Sequence, residues 1–387
     1  MKRLYCLLIF CLPAALYPTD GPFALGKIIA AKTSGSSYPH ILKAETYTFN
    51  TRSIKALTSR GSYLWIGTTR GALRYDTATA DDYEIFDNQN ALLSNGIFTI
   101  KFDRQGLPWI GTYGGGVSHY DGKTWVNINT PRGLADAFVF DVEFTSEAVW
   151  IATWSGVNRI RGDPMSRQSW TTFTVENTQR GLLDDWVYAI EIGKDGRAWF
   201  GTESGLSMFD GKTWRSWNHK DGLGAPYNQV KNDNEGVVSA FQGTHHTHAA
   251  AYPDRPAESR GHRPNYILSM LLDPRGNLWI GTWGGGLTLF DTQNFRFRNF
   301  TKANGLPGNF VLALKEDPYG NLWIGTNNGL SRFDGKTFTN FSKINGLSSD
   351  FIFSVEFGPD HSIWVGGHSR MNRLTINPVT RELIRIE

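Results

Sequence analysis

Aromatic and polar side chains recur at one position of this sequence, next to a repeated short phrase. Tyr113, Trp154 and Trp283 place flat aromatic rings there. The polar residues at or beside the same position are Arg70, Glu203, Asn327 and His368. Rings beside hydrogen-bonding groups are what a protein needs to hold and orient a sugar or another polar ring. The pattern therefore predicts a ligand-binding site, provided that the fold brings the copies together.

The repeated phrase is a variant of Trp-Ile-Gly-Thr. Its tryptophans are Trp65, Trp109, Trp150, Trp199, Trp279, Trp323 and Trp364. Five of the six intervals between them measure 41 to 49 residues, and the fourth measures 80. A period of roughly 40–45 residues that holds several short strands is typical of a propeller blade. The sequence therefore predicts an all-β protein, a seven-bladed β-propeller of four-stranded antiparallel blades.

The unit around Trp323 shows the four strands of one blade. Strands A, B, C and D are predicted over residues 309–314, 322–326, 330–334 and 337–341. Turn residues separate them, and strand C alternates apolar and polar side chains as a half-buried strand does. The tryptophans then lie on the B strands, where we expect them to pack against neighbouring blades. The glycine of each phrase is expected to allow blades to approach closely.

Propeller topology places the candidate residues on one face. Strand A is innermost, and the D–A and B–C connections leave the blades on the same face, around the central channel. Trp186 and Tyr188, in the D–A connection before the fourth phrase, are therefore expected to join the residues that follow the phrases. The loop residues differ from blade to blade while the strands repeat, and binding residues are expected at such variable loop positions. The alternative, that these side chains only fill a wet channel, stays open.

The segments Leu322 to Gly335 and Leu278 to Asp291 resemble the two-component regulator propeller repeat. The third phrase, with Ala152, and the last, with Gly367, depart from the pattern. In that family the repeats build periplasmic sensor domains, usually with seven blades, ahead of a membrane span and a kinase. The resemblance implies a non-catalytic sensor propeller, here without the kinase part, for a glycan or a related extracellular ligand.

The N-terminus predicts export. Lys2 and Arg3 precede an apolar run from Leu4 to Leu16, which is the pattern of a secretory signal peptide and is too short for a membrane span. We expect a signal peptide over 1–21 with an undefined cleavage point, a linker over 22–43 and the propeller over 44–387. Both cysteines, Cys6 and Cys11, lie in the leader. The protein is then periplasmic or extracellular, without disulfides and without a membrane span once the leader is removed.

The overall charge argues against nucleic acid as a partner. The formal net charge is only +3, and no basic block appears. No catalytic residue, metal site or cofactor is predicted. The expected partner is a polar small molecule or glycan, or a protein of the cell envelope.

The long fourth interval contains an insert over 224–263. We expect a long D–A loop on the binding face, because loops of this length are usually functional or disordered. His245, His246 and His248 favour a metal site, but no carboxylate stands at a matching spacing. A metal site and a degenerate eighth blade remain alternatives.

Two further alternatives concern function and ring closure. A propeller enzyme of the lyase or hydrolase type would need a base, for which His368 with Glu203, or the histidines of the insert, are the candidates. The ring could be closed by a strand near Glu45–Asn50 or by one over Arg381–Glu387. The sequence does not decide between these two strands.

Overall fold

A computed structural model describes residues 44–79, 82–234 and 261–375, and the backbone of one further strand at 25–29. The strands form seven antiparallel sheets, which we number as blades 1 to 7 along the chain. The A strands of successive blades lie side by side around the axis. The predicted seven-bladed propeller of four-stranded blades is confirmed.

The strand bounds follow the predicted A-to-D order. The chain begins with β1 (Leu25–Ile29) and β2 (Ala44–Phe49). Blade 1 contains β3 (Ile54–Arg60), β4 (Tyr63–Thr68), β5 (Gly71–Asp76) and β6 (Tyr83–Phe86). Blade 2 contains β7 (Ile97–Phe102), β8 (Pro108–Thr112), β9 (Val117–Tyr120) and β10 (Trp125–Ile128). Blade 3 contains β11 (Val139–Phe144), β12 (Val149–Thr153), β13 (Gly156–Ile160) and β14 (Trp170–Phe173).

Blades 4 to 7 complete the ring, and the insert lies between blades 4 and 5. Blade 4 contains β15 (Val187–Ile192), β16 (Ala198–Thr202), β17 (Leu206–Phe209) and β18 (Trp214–Trp217), and the helix α1 (Tyr227–Asn234) follows it. Blade 5 contains β19 (Arg263–Leu272), β20 (Asn277–Trp283), β21 (Leu287–Asp291) and β22 (Arg296–Phe300). Blade 6 contains β23 (Val311–Glu316), β24 (Leu322–Thr326), β25 (Gly329–Phe333) and β26 (Phe338–Phe341). Blade 7 contains β27 (Ser354–Phe357), β28 (Ile363–Gly366) and β29 (Arg370–Leu374). Short 3-10 helices occupy Thr130–Arg132, Arg167–Ser169, His219–Asp221, Lys302–Asn304 and Lys343–Asn345.

The N-terminal strand closes the ring. β2 pairs antiparallel with β29, and so supplies the fourth strand of blade 7. Tyr47 of β2 packs against Trp364 of blade 7 and Tyr75 of blade 1, at centroid distances of 5.2 and 5.7 Å. β1 adds a fifth strand outside β2, within the segment 22–43 that the sequence analysis treats as a linker. The other candidate strand, 381–387, lies outside the described residues.

The seven phrase tryptophans form the joints between blades. Each is almost fully buried, with an exposed fraction between 0% and 6%. Trp323 of blade 6 packs in one cluster with Val355 and Val365 of blade 7, and Trp364 of blade 7 packs with Ile54 of blade 1. The predicted packing between blades is therefore confirmed around the whole ring.

The phrase glycine permits this packing. A Cβ atom on Gly325 would stand 2.8 Å from the carbonyl oxygen of Ile352, and one on Gly366 would stand 2.8 Å from that of Ile54. Both oxygens belong to the next blade, and real Cβ contacts do not reach such distances. The predicted close approach of blades is confirmed.

The described part of the insert 224–263 lies on the B–C/D–A face. It contains α1, whose Asn234 donates a hydrogen bond of 2.7 Å to the carbonyl oxygen of Gly284 in the B–C loop of blade 5. Asn309 donates to the Asn234 side-chain oxygen at 3.1 Å, and Asp233 pairs with Lys302 at 2.8 Å. Residues 235–260, with the three clustered histidines and the eighth-blade alternative, lie outside the described residues.

Two observations concern only the part of the chain that the structure describes. Its acidic, histidine and cysteine side chains form no group of three or more that could hold a metal ion. None of its helices is long and apolar enough to cross a bilayer.

Candidate ligand-binding site

The phrase threonine fixes the B–C loops. In six blades its hydroxyl donates a hydrogen bond of 2.8 to 2.9 Å to the carbonyl oxygen of the glycine at the start of strand C. The next residue is tied to the D–A connection, since the N–H groups of Trp154 and Glu203 donate to the carbonyl oxygens of Phe138 and Trp186 at 3.3 Å. These bonds hold the variable side chains at the mouth of the channel.

A bulge near the start of the A strand supplies a second set of side chains. The A–B register shifts there in blades 1 to 6. The residue at the shift, together with the corresponding residue of blade 7, forms what we call the upper ring: Lys55, Phe98, Phe140, Tyr188, Leu268, Leu312 and Phe353. Its members from blades 2 to 6 belong to one hydrophobic cluster, which also includes Tyr266, Trp283 and Phe310. The upper ring therefore lines the channel just below the mouth.

Four rings from the loops form a continuous aromatic arc above it. The arc consists of Tyr113, Phe138, Trp154 and Trp186, whose successive centroids lie 4.4, 4.5 and 5.1 Å apart. Tyr113 is 42% exposed, and the other three rings are partly exposed. The arc covers blades 2 to 4 and presents aromatic surface at the channel mouth.

A buried ion pair lies beside the arc. Arg263 pairs with Glu203 at 2.9 Å, with less than a tenth of either side chain exposed. The Tyr188 hydroxyl donates to the Glu203 carboxylate at 3.4 Å and accepts a hydrogen bond from Tyr266. Burial raises the pKa of Glu203, while the Arg263 charge opposes that rise. Burial also raises the pKa of Tyr188, so the network keeps neutral phenols around one charged pair.

The structure brings most of the predicted site residues together. Tyr113, Trp154 and Trp186 form the arc, and Tyr188 and Glu203 form the network beneath it. Trp283 is fully buried and stacks on Tyr266 at 5.6 Å, so it supports the site and does not offer an open face as expected.

The other three predicted residues lie outside the arc. The Arg70 guanidinium donates to the carbonyl oxygen of Asn50 at 3.4 Å, at the seam of blades 7 and 1. The Asn327 side chain accepts from the Phe310 N–H at 3.3 Å. The His368 ring contacts Phe353 at a centroid distance of 4.8 Å.

Sequence reasoning missed the A-strand contributors to the site. Phe98, Phe140 and Lys55 point into the channel because the bulge shifts the strict alternation of a strand. The sequence did carry a signal for these residues, since the second residue of most A strands is aromatic or apolar. Arg263 was counted within the insert, and nothing local in the sequence connects it with Glu203.

A second, charged ring lies three residues deeper along the A strands. It comprises Thr58, Lys101, Glu143, Glu191, Leu271, Lys315 and Glu356, each paired in register with a phrase tryptophan. Lys101 is bound to Glu143, and Lys315 pairs with Glu356 at 2.7 Å. Burial, with the Glu143 charge, raises the pKa of Glu191 to about 8, and the Lys101 charge opposes the rise.

We expect Glu191→Gln to change how stability depends on pH. A carboxyl whose pKa is raised in the folded state stabilises fully below its unfolded pKa of about 4.3, and that contribution disappears as the pH rises through the folded value. The variant should match the wild type at pH 4 and melt several °C higher, roughly 3 °C or more, at pH 9. Thermal unfolding followed by circular dichroism at both pH values measures this. Glu147→Gln, at an exposed glutamate of blade 3, should shift neither value; equal melting of Glu191→Gln and wild type at pH 9 would contradict the assignment.

The candidate acid–base pair of the enzyme alternative is divided between two blades. Glu203 lies on blade 4 and pairs with Arg263 of blade 5, whereas His368 lies on blade 7, with its Nδ1 atom 3.2 Å from the carbonyl oxygen of Arg52. Burial lowers the pKa of His368, and the charges of Lys55 and Lys343 lower it further. No hydrogen bond joins the two side chains in the described ranges.

The comparisons with known proteins agree with this architecture. The two-component regulator propeller model matches residues 181–204, 261–284 and 305–328, each span running from a D–A connection through strands A and B. No curated protein sequence matches the chain.

Solved structures similar to this chain are propellers. One is described as the extracellular domain of a hybrid two component system from B. thetaiotaomicron, with 23% identity and a TM-score of 0.65 over 86% of this chain and 40% of that one. Another, described as the extracellular domain of a one component system from the same organism, has 17% identity and a TM-score of 0.59 over 84% and 38%. Virginiamycin B lyase from Staphylococcus aureus has 10% identity and a TM-score of 0.58 over 92% and 100%.

These likenesses concern the fold, and the chain spans about two fifths of the sensor domains that it resembles. The repeat matches are the more specific result, since they fall on three of the units that the phrases define. Three units of the chain therefore match the two-component regulator propeller repeat, which agrees with the resemblance seen in the sequence.

Proposed function

We propose that the protein is an exported, non-catalytic propeller that binds a glycan or another polar ring at the B–C/D–A face. The observation that carries this proposal is the aromatic arc of Tyr113, Phe138, Trp154 and Trp186. Four rings in mutual contact, partly exposed at the mouth of a channel, form a surface on which flat or ring-shaped ligands stack.

Polar groups around the arc supply the directional contacts that a sugar needs. The Glu203–Arg263 pair lies next to Tyr188, and Asn327 and His368 lie on the blades that complete the circle. The extracellular domains among the similar propellers, and the leader-like N-terminus, support export and a sensing or scaffolding role in the cell envelope. A protein partner at the same face is the alternative form of the proposal.

Trp154→Ala should weaken ligand binding at least about tenfold. Trp154 is the central ring of the arc, and truncation of such an aromatic anchor commonly costs 2 kcal/mol or more, roughly a 30-fold change in Kd. We would screen neutral and acidic oligosaccharides by thermal shift and titrate the hits by tryptophan fluorescence. Trp125→Ala on the outer strand of blade 2 is the control and should leave Kd unchanged.

Two results of that experiment would count against the proposal. The first is a screen in which no saccharide raises the melting temperature of the wild type. The second is a hit whose affinity responds equally to Trp154→Ala and Trp125→Ala, because the arc would then have no particular part in binding.

A further inference from the structure

Four blades place an arginine on strand C opposite the phrase tryptophan. The register pairs Arg74, Arg159, Arg332 and Arg373 with Trp65, Trp150, Trp323 and Trp364. In blades 1, 3 and 7 the guanidinium lies over the indole, at 6.0, 5.4 and 5.4 Å from the ring centroid. Each of these arginines therefore belongs first to the structure of its blade, as a cation that covers an aromatic ring.

Three of these arginines also have an oxygen acceptor. In each case the acceptor belongs to the same blade, and it stands on the fourth strand or in the A–B turn. The acceptors are Glu84 for Arg74 at 2.7 Å, Asn321 for Arg332 at 3.4 Å, and both Glu45 and Asp360 for Arg373. The guanidinium is thus satisfied within its own blade.

Arg159 of blade 3 has no such acceptor among the described residues. The residue opposite it on strand D is Thr171, and Ala148 stands where blade 6 has Asn321, two residues before the tryptophan. The Arg159 Nε atom is buried and makes no hydrogen bond, although the side chain as a whole is partly exposed. A buried donor without an acceptor is costly, so blade 3 lacks here a contact that the other three blades keep. Functional sites are where such departures are expected.

A second cation lies beside Arg159. Arg161 follows two residues later, at the start of the C–D hairpin, and is exposed. Burial lowers the pKa of Arg159, and the charge of Arg161 lowers it further. Neither guanidinium takes part in an ion pair within the ranges that the structure describes. Burial and the neighbouring charge both act against a charged guanidinium, and a bound anion would offset them.

The geometry of Arg159 favours a carboxylate as that anion. Its guanidinium lies over the rings of Trp150 and Phe173, at 5.4 and 5.2 Å, so it meets a ligand with its edge rather than with its covered face. A carboxylate matches such an edge with two parallel hydrogen bonds. An exposed ion pair adds little affinity by itself, so the carboxylate has to be carried by a larger partner that makes further contacts.

The hairpin that follows Arg161 offers a surface for further contacts. The C–D connection of blade 3 covers 161–169, whereas that of blade 2 covers only 121–124. Within it Met165 is 48% exposed, and its N–H donates to the Asp163 carboxylate at 2.8 Å. An exposed methionine adapts to apolar groups of different shapes. Blade 3 therefore presents two cations and a protruding hairpin on the face opposite the aromatic arc.

We propose that Arg159 and Arg161 form a docking site for an acidic segment of a partner protein. A Glu or Asp carboxylate of that segment takes the place opposite Arg159 that Glu84 takes opposite Arg74 in blade 1. The site lies on the opposite face from the proposed saccharide site, so it stands or falls independently of the proposed function.

A fluorescein-labelled hexaglutamate peptide is the probe, and fluorescence anisotropy measures its binding to the full chain. We expect this peptide to bind at least about fivefold tighter than hexaglutamine, with affinity that falls as salt rises. Arg159→Met should remove that preference. Arg332→Met, which changes the same position in blade 6, is the control and should retain it.

Thr171→Glu supplies the missing carboxylate from within the blade. The new side chain should occupy Arg159 as Glu84 occupies Arg74, because residues directly opposite on neighbouring strands interact. The peptide should then lose its preference, while the protein melts no lower than the wild type. Thr339→Glu adds the same charge at the matching position of blade 6 and should leave peptide binding unchanged.

Three results would overturn the proposal. The first is equal binding of hexaglutamate and hexaglutamine to the wild type. The second is a preference that survives both Arg159→Met and Thr171→Glu, because acidic chains would then bind elsewhere. The third is tighter binding of a heparin hexasaccharide than of hexaglutamate, lost in the same two variants, because the partner would then be a sulfated polysaccharide.

Discussion

Trp323→Ala is expected to lower the free energy of unfolding by about 3–5 kcal/mol. The Trp323 side chain is 1% exposed and fills the joint between blades 6 and 7. Its indole N–H also donates to Asp317 at 3.0 Å, so truncation leaves both a cavity and a buried carboxylate without that donor. Urea unfolding followed by fluorescence and circular dichroism measures the loss.

The control for this prediction is a surface residue four positions before Trp323. Tyr319 belongs to the A–B turn of the same blade and is 48% exposed, so Tyr319→Ala should change the unfolding free energy by less than about 0.5 kcal/mol. A Trp323→Ala protein as stable as the Tyr319→Ala protein would show that the phrase tryptophans do not hold the blades together.

Arg263→Met is expected to lower the unfolding free energy by about 3 kcal/mol at neutral pH, because it leaves the Glu203 carboxylate buried without its cation. The pKa of Glu203, already raised by burial, then rises further. Because the pKa of Glu203 is then higher in the folded than in the unfolded protein, the variant loses stability as the pH rises. It regains that stability as the pH falls toward the unfolded pKa of about 4.3. The deficit relative to wild type should therefore shrink on acidification, as thermal melts between pH 7.5 and 5 would show.

Two variants sharpen the test of this ion pair. The double variant Glu203→Gln with Arg263→Met should recover much of the loss, because it removes the uncompensated charge. Arg74→Met, which breaks the exposed pair of Arg74 with Glu84 at 2.7 Å, should cost less than about 1 kcal/mol. A pH-independent deficit in Arg263→Met would mean that packing, rather than charge, explains its effect.

The sequence was most informative where one local pattern repeats. The seven phrase tryptophans, from Trp65 to Trp364, recur at the spacing of a four-stranded blade. Each lies on a B strand, two residues before a glycine or an alanine. Period and turn chemistry are local properties, so the fold, the blade joints and the face that carries the loops could all be predicted from them. The same reasoning placed Tyr113, Trp154, Trp186, Tyr188 and Glu203 on one face, where the structure also has them.

The choice of closing strand needed tertiary structure. Strand-like patterns occur in both Ala44–Phe49 and the segment 381–387. Neither pattern indicates which of the two segments pairs with the open edge of blade 7. The structure selects β2 because its Tyr47 fills the space between Trp364 and Tyr75, which come from the last and the first blades. A contact between chain ends is not encoded in any window of the sequence.

The sequence by itself thus determined the propeller, the tryptophan joints and the loops that face the channel mouth, because each of these follows from a pattern within one repeat. Only the tertiary structure decided which side chains enter the channel and which charges meet there. The A-strand bulge turns Lys55 toward Phe98 against the alternation of a strand, and the fold brings Arg263 to Glu203 across 60 residues. Such pairings depend on how one blade packs against the next, which no pattern within a single repeat contains.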